Sequence, residues 1–212
     1  MFFTKQSSNF VLYAPGTITG SSFSVPVTAF GLDGTTVGGA AGGTESGTLA
    51  GSVSTSTGLT GSTTSLSGTF TGGSGDVVGF LASANAAAWK IASSIATVAG
   101  SYTASFTVNK TTYTPTLTIA AGTGSSAGTG VITGTDSGGC NYGGNVTTPD
   151  TAHNDYNMTL TSSCLPGSTF TGLGAFFPAG LSNPNGALSK AELKVGLTNG
   201  SSTGIYLNLT AK

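Results

Sequence analysis

Phe23, Val25 and Val27 stand at alternate positions along one stretch of this chain, and Leu117 and Ile119 do the same along another. A side-chain period of two belongs to an extended strand with one face turned to a core, so these stretches are restricted to half-buried β structure. Threonine, serine and glycine supply much of what lies between, with 37, 28 and 35 residues, or 100 of 212. Such a bias can mark a disordered linker, which cannot bury enough apolar surface to offset ordering entropy. Disorder of that kind carries high net charge, whereas this chain has a net charge of −1 and 37% hydrophobic residues. β-Branched threonine suits the polar face of a strand and glycine suits turns and bulges, so the sequence predicts an ordered β protein.

Strand-forming segments recur at short intervals. In the first half they are Asn9–Ala14, Ser22–Gly31, Thr48–Ser54, Ser65–Thr71 and Asp76–Ala82. In the second they are Ser101–Val108, Tyr113–Ala120, Gly128–Gly134, Asn141–Thr147, Asp155–Thr161, Thr169–Phe177, Ala191–Thr198 and Thr203–Thr210. Leu32-Asp33-Gly34 and Thr198-Asn199-Gly200 have the composition of hairpin turns. Many short strands between regular turns predict an all-β fold, an antiparallel sandwich or barrel. Ala84–Ala96 differs: rich in alanine, with Trp89, Ile91 and Ile95 and no alternation, it predicts one short helix or a buried connector. That stretch divides the chain into two candidate β modules, an N-terminal arm and module over 1–96 and a second module over 97–212.

The two cysteines are Cys140 and Cys164. Asn141–Thr147 and Asp155–Thr161 lie between them and flank a cluster of turn residues, Thr148-Pro149-Asp150-Thr151-Ala152-His153-Asn154. A hairpin folded about residue 152 pairs positions whose numbers sum to 304, and 140 + 164 = 304. The cysteines then face each other across the ladder, as Val146 and Met158 do, in a geometry compatible with a cross-strand disulfide. A disulfide implies an oxidising compartment.

Charge is scarce: 6 lysines, no arginine and 7 acids. The lysines are scattered, which argues against nucleic acid as a partner. Few charges also leave strand edges poorly protected against pairing with other chains. No apolar run approaches the ~20 residues of a membrane helix. Lys5 follows Met1-Phe2-Phe3 with no apolar h-region, so the chain reads as a mature secreted form, at the cell surface or free of it.

Chemistry finds few candidates. His153 is the one histidine, near Asp150 and Asp155, and a hydrolase triad would need it oriented by a carboxylate and in reach of a nucleophile. Asp33, Asp76 and Asp136 adjoin glycine or serine and read as turn residues rather than as a glycosidase pair. Asp150, Asn154 and Asp155 offer oxygen ligands for Ca²⁺, without the spacing of a known calcium loop. The sequence predicts no enzyme, no cofactor and no metal site.

The second half carries Ala99-Gly100-Ser101-Tyr102-Thr103, then Gly134-Thr135-Asp136-Ser137-Gly138-Gly139-Cys140-Asn141-Tyr142-Gly143-Gly144. Asn157-Met158-Thr159-Leu160, Cys164 and Thr169-Phe170-Thr171-Gly172-Leu173 follow. In these motifs it resembles an uncharacterised family of secreted or lipid-anchored proteins of proteobacteria. The resemblance covers about half of the chain and implies an extracellular bacterial β domain; it supplies no activity.

Met1–Tyr13 concentrates large apolar residues: Phe2, Phe3, Phe10, Val11, Leu12 and Tyr13. Each left in water forgoes roughly 1.5–3 kcal/mol of burial, so this arm is expected to pack. It completes its own sheet, or it adds as a strand to a neighbouring subunit, with Pro15-Gly16 as a hinge. Low charge, abundant edges and this arm together predict a bacterial surface structural protein, a homo-oligomer or polymer assembled by strand addition into a filament or surface layer. The alternative is a monomeric adhesin-like module for a glycan or host protein, with Tyr142, Tyr156, Phe176 and Phe177 as candidate contacts.

Overall fold

A computed structural model describes residues 2–4, 10–13, 20–32, 43–58, 61–83, 86–123, 128–165, 168–183 and 186–212. The protein is all-β and antiparallel, with two one-turn helices. Among the described residues, the first half forms β1 (Phe2–Thr4), β2 (Phe10–Tyr13), β3 (Ser22–Gly31), β4 (Thr44–Gly58), β5 (Gly61–Gly72) and β6 (Val77–Ser83), a six-stranded meander in chain order. The helices α1 (Ala86–Trp89) and α2 (Ile95–Val98) follow. Then come β7 (Gly100–Thr103), a small hairpin of β8 (Phe106–Val108) and β9 (Thr111–Tyr113), β10 (Thr116–Ala121) and β11 (Gly130–Thr135). β12 (Asn141–Thr147), β13 (Tyr156–Ser162) and β14 (Thr169–Phe177) lead to a second hairpin, β15 (Ser182–Asn183) and β16 (Gly186–Ala187), and to β17 (Glu192–Thr198) and β18 (Gly204–Ala211). β7, β10 to β14, β17 and β18 close into an eight-stranded barrel, sealed where Thr103 pairs with Thr210 and Tyr102 with Ala211.

Alternation sorts the six-stranded sheet into two faces. Phe23, Val27 and Ala29 of β3, Leu49 of β4, Phe70 of β5 and Leu12 of β2 are buried together. The opposite face carries Ser24, Thr48, Ser52, Thr69 and Thr71, all exposed. Glycines make the apolar face close-packed: Gly51 faces Gly68 across the β4–β5 ladder, and a Cβ on Gly51 would run into the Phe23 ring and the Ser67 carbonyl. In the barrel, Leu117, Ile119, Ile132, Leu160, Val195, Leu197, Ile205, Leu207 and Leu209 fill the interior. Exterior threonines and serines pair with each other across the ladders, as in Ser101–Thr118 (3.2 Å) and Thr107–Thr112 (3.1 Å), and where the apolar face of the meander runs out Thr55 pairs likewise with Thr64 (3.2 Å). Such pairs occupy positions where charged residues commonly sit.

Several expectations are refined. Ser101–Val108 and Tyr113–Ala120 each break in two, because the chain leaves the barrel wall at Ala104 and returns at Pro115, whose carbonyl accepts the Ala104 N–H (3.1 Å). The excursion turns on Asn109 and Lys110, both at positive φ (51° and 66°), the two-residue turn that matches strand twist. In place of the one short helix expected over Ala84–Ala96 stand α1, which stops at Trp89, and α2, which Ser94 caps by accepting the Thr97 N–H (3.1 Å). Residues 199–203 form a five-residue loop, not a two-residue turn, with Asn199 Oδ1 accepting the N–H groups of Ser201, Ser202 and Thr203. The Leu32-Asp33-Gly34 turn lies largely outside the described residues; the Gly31 N–H donates to the Gly43 carbonyl (2.6 Å).

The hairpin of β12 and β13 has the register of the sum 304: Val146 pairs with Met158 and Tyr142 with Ser162. Cys140 and Cys164 form a disulfide with a Cα–Cα distance of 5.4 Å. Asp136 holds the turn before it, its carboxylate accepting the N–H groups of Gly138 (2.9 Å) and Cys140 (3.0 Å) and the Tyr142 hydroxyl (2.8 Å). The Tyr142 bond, with the two backbone bonds behind it, keeps the Asp136 carboxyl below its ordinary range. The disulfide closes a loop with a sequence separation of 24. Reduction should add about two mass units and destabilise the fold by roughly 3–4 kcal/mol in the chain-entropy model, read as a fall in Tm. Free thiols in unreduced, natively produced protein would contradict the pairing.

Candidate functional site

Large apolar side chains reach solvent at two places among the described residues. One is the outer side of β6, where Val77 is 65% and Leu81 76% exposed; the other is α1, where Trp89 is 54% exposed.

Among the described residues β6 ends the six-stranded sheet and pairs with β5 alone. At the other end, Cα atoms of β1 and β2 come within 8 Å of those of β17 and β18 in the barrel. The Gly72 N–H donates to the Asp76 carbonyl (2.8 Å), so Gly72 and Asp76 form a hydrogen-bonded pair. With Phe70 opposite Val78 and Gly68 opposite Phe80, the alternation of an antiparallel ladder follows. Val78, Phe80 and Ala82 exchange backbone bonds with β5, and the N–H and C=O groups of Val77, Gly79 and Leu81 point away from it. No charged residue or proline occurs from Val77 to Ser83. The turn into β6 is fixed from β4: buried Glu45 reaches across Gly72, and its Oε1 accepts both the N–H (2.9 Å) and the hydroxyl (2.5 Å) of Ser74. A Cβ on Gly72 would collide with that carboxylate, so the glycine is needed for the reach.

The second place is built on the β12–β13 loop. The β13–β14 ladder pairs residues summing to 330, as Tyr156 with Gly174 does. Asn154 and Phe176 also sum to 330, two residues beyond its last pair. There the main chain has turned away and the Asn154 side chain takes its place. Its Oδ1 accepts the Phe176 N–H (2.8 Å) and its Nδ2 donates to the Phe176 carbonyl (2.5 Å) and the Ala88 carbonyl (3.0 Å). The Asn154 N–H meanwhile donates to the Trp89 carbonyl (3.3 Å), and the Ser93 hydroxyl to the Asp150 carbonyl (2.7 Å). These bonds hold α1 against the loop. On the outside, the Trp89 ring stacks on His153 at 4.5 Å between centroids, and His153 Nδ1 lies 2.5 Å from Asp150 Oδ2. That contact, with the Ala152 N–H bond, holds the Asp150 carboxyl below its usual range. Burial pushes the neighbouring Asp155 carboxyl up.

The candidate residues separate accordingly. His153 does meet a carboxylate, as a triad would require: its ring contacts Asp150 and stacks on Trp89. Asp150, Asn154 and Asp155 do not converge, because the Asn154 amide is turned inward, and no group of three His, Cys, Asp or Glu is placed to hold a metal among the described residues. Of the aromatic contacts expected for an adhesin, Tyr142, Tyr156 and Phe176 are barrel core, since their strand positions face inward; Phe177 is half-buried beneath the Lys194 ammonium. In the arm, Phe2 and Phe3 lie on β1 and Phe10, Val11, Leu12 and Tyr13 on β2. The arm pairs within its own chain, Leu12 with Phe3 and with Ala29 of β3, and the Leu12 side chain is buried in the sheet's apolar cluster. The β6 edge and the Trp89 platform were not singled out by sequence. The signals present were the uncharged run Val77–Ser83 and a lone tryptophan beside the lone histidine's loop.

No family model matches the chain, and neither a curated protein nor a solved structure is similar to it. No helix among the described residues is long and apolar enough to cross a membrane.

Asn154→Ala removes the side-chain partners of the Phe176 N–H and carbonyl. It should cost roughly 2–4 kcal/mol in denaturant unfolding. Because Trp89 is the one tryptophan, its fluorescence should also red-shift as α1 loosens. An unchanged spectrum and Tm would show that the amide is not the clamp described.

Proposed function

We propose that this chain is a non-catalytic structural protein of the bacterial surface, secreted and associating with its own kind through an open sheet edge, as a subunit of a filament or surface layer. The observation that carries the reading is β6, an uncharged strand paired on one side and showing Val77 and Leu81 to solvent. Soluble monomers blunt such edges with lysine, proline or bulges, and β6 has no charge or proline, and its pairing with β5 runs without interruption. The Cys140–Cys164 disulfide supports an oxidising compartment. The resemblance of the second half to secreted or lipid-anchored proteobacterial proteins supports the cell surface. The stacking of His153 on Trp89 supports a structural use of the histidine, as part of the clamp on α1.

A second reading, a monomeric adhesin-like module, is favoured by Trp89. Its ring is held by backbone bonds and by His153 while remaining half-exposed, and a fixed aromatic surface can stack on a glycan or on a host-protein side chain.

Light scattering on size-separated oxidised protein, from micromolar to millimolar concentration, with electron microscopy of the concentrated sample, tests the first reading. Concentration-dependent species are expected. A strict monomer throughout would overturn it in favour of the second, which expects glycan or host-protein binding that Trp89→Ala abolishes.

A further inference from the structure

We infer that two copies of this chain join through β6 itself, antiparallel about a two-fold axis at Phe80, to make one continuous twelve-stranded sheet. The inference rests on the edge-association reading and names the occupant of the edge. β6 spans Val77–Ser83, seven residues centred on Phe80. Full overlap of two such strands pairs residues whose numbers sum to 160: Gly79 with the partner copy's Leu81, and Val77 with its Ser83. These odd-numbered residues are the ones whose N–H and C=O groups point away from β5. Every outward peptide group of β6 therefore gains a partner, and none that serves β5 is disturbed.

Side chains agree with that pairing. Val77, Gly79 and Leu81 share the hydroxyl face, beside Thr71, Thr69 and Ser67 of β5. Each Leu81 comes to lie opposite the partner copy's Gly79, where nothing stands within 4 Å of the Cβ position. The two Leu81 side chains then meet diagonally across the axis and cover each other over the glycines. Strand β6 is uncharged, so two copies meet without like-charge repulsion. The edge is its own complement, as an isologous interface requires. Such pairing uses both copies' β6 edges, so its product is a dimer, and any larger assembly must grow through another surface.

Amide hydrogen exchange of the full chain, followed by NMR below and above the association concentration, tests this. Gly79 and Leu81 should exchange freely in the dilute sample and at least about tenfold more slowly in the concentrated one. Val78 and Phe80, bonded to β5, should be protected in both. Leu81→Lys, placed where the side chain is already in solvent, should keep the circular dichroism and Tm of the parent and abolish the added protection. Association with unchanged exchange at Gly79 and Leu81 would overturn the β6 pairing and leave the edge-association reading to another surface. A monomer at all concentrations would overturn both. Added protection that survives Leu81→Lys would overturn the proposed register.

Discussion

The parity of the antiparallel ladder decides both which side chains of this chain are buried and which peptide groups lack a partner. Along β5 the even positions face the core as Leu66, Gly68, Phe70 and Gly72, and the odd positions face solvent as Ser67, Thr69 and Thr71. The same count assigns each backbone group to β4 or to β6, because Gly73 donates to the Ser46 carbonyl (3.0 Å) and Gly72 to the Asp76 carbonyl (2.8 Å). A slip of one residue would turn the apolar set to water. Gly51 and Gly68 guard against it. Their backbones approach so closely that no other residue fits at either position without moving the ladder.

Hydroxyl groups do on the outer faces what charges do in most soluble proteins. The Ser101–Thr118 and Thr107–Thr112 contacts link directly opposed residues, so the polar coat is tied to the ladder instead of standing out from it. Glu45 shows the rarer use of charge here. It is buried, and it is spent on Ser74, on the turn that sets the direction of β6. A coat of hydroxyls solvates a surface without adding long-range repulsion. Its consequence is therefore local: it matters most where a strand has no neighbour.

Much of this fold could be read from period and punctuation. β3, β12 and β14 have the bounds expected from their strand-forming residues and the turns between them, and the 304 register followed from two cysteines and one turn cluster. What escaped depends on contacts far apart in sequence. Asn154 looked like a turn residue, and it is one, but its side chain also stands in for a peptide group opposite Phe176, which no local signal announces. Asn109-Lys110 fell between two expected segments, but nothing local in Ser101–Val108 or Tyr113–Ala120 marks Ala104 and Pro115 as the places where the chain leaves the barrel wall and returns. The arm drew attention through its apolar density. Which strand of the meander would be left at the open end is a fact of topology, and Val77–Ser83 has no composition that distinguishes it from a central strand.

The two halves share a composition and differ in closure, which places the consequence of low charge. In the barrel every strand has two neighbours, because β7 pairs with both β10 and β18 and Lys212 adds a bond to the Ser101 carbonyl (3.0 Å). Closure removes edges altogether, so the barrel's many threonines and few charges carry no pairing hazard. The meander has the same surface chemistry without closure. One end of it runs beside β17 and β18, and the other is β6. Outside the barrel wall the second half keeps only the short edges of the β8–β9 and β15–β16 hairpins among the described residues, so the longest open edge, β6, belongs to the first half. The disulfide-bonded barrel is left as a closed body whose surface stays available for other contacts, Trp89 and its loop among them.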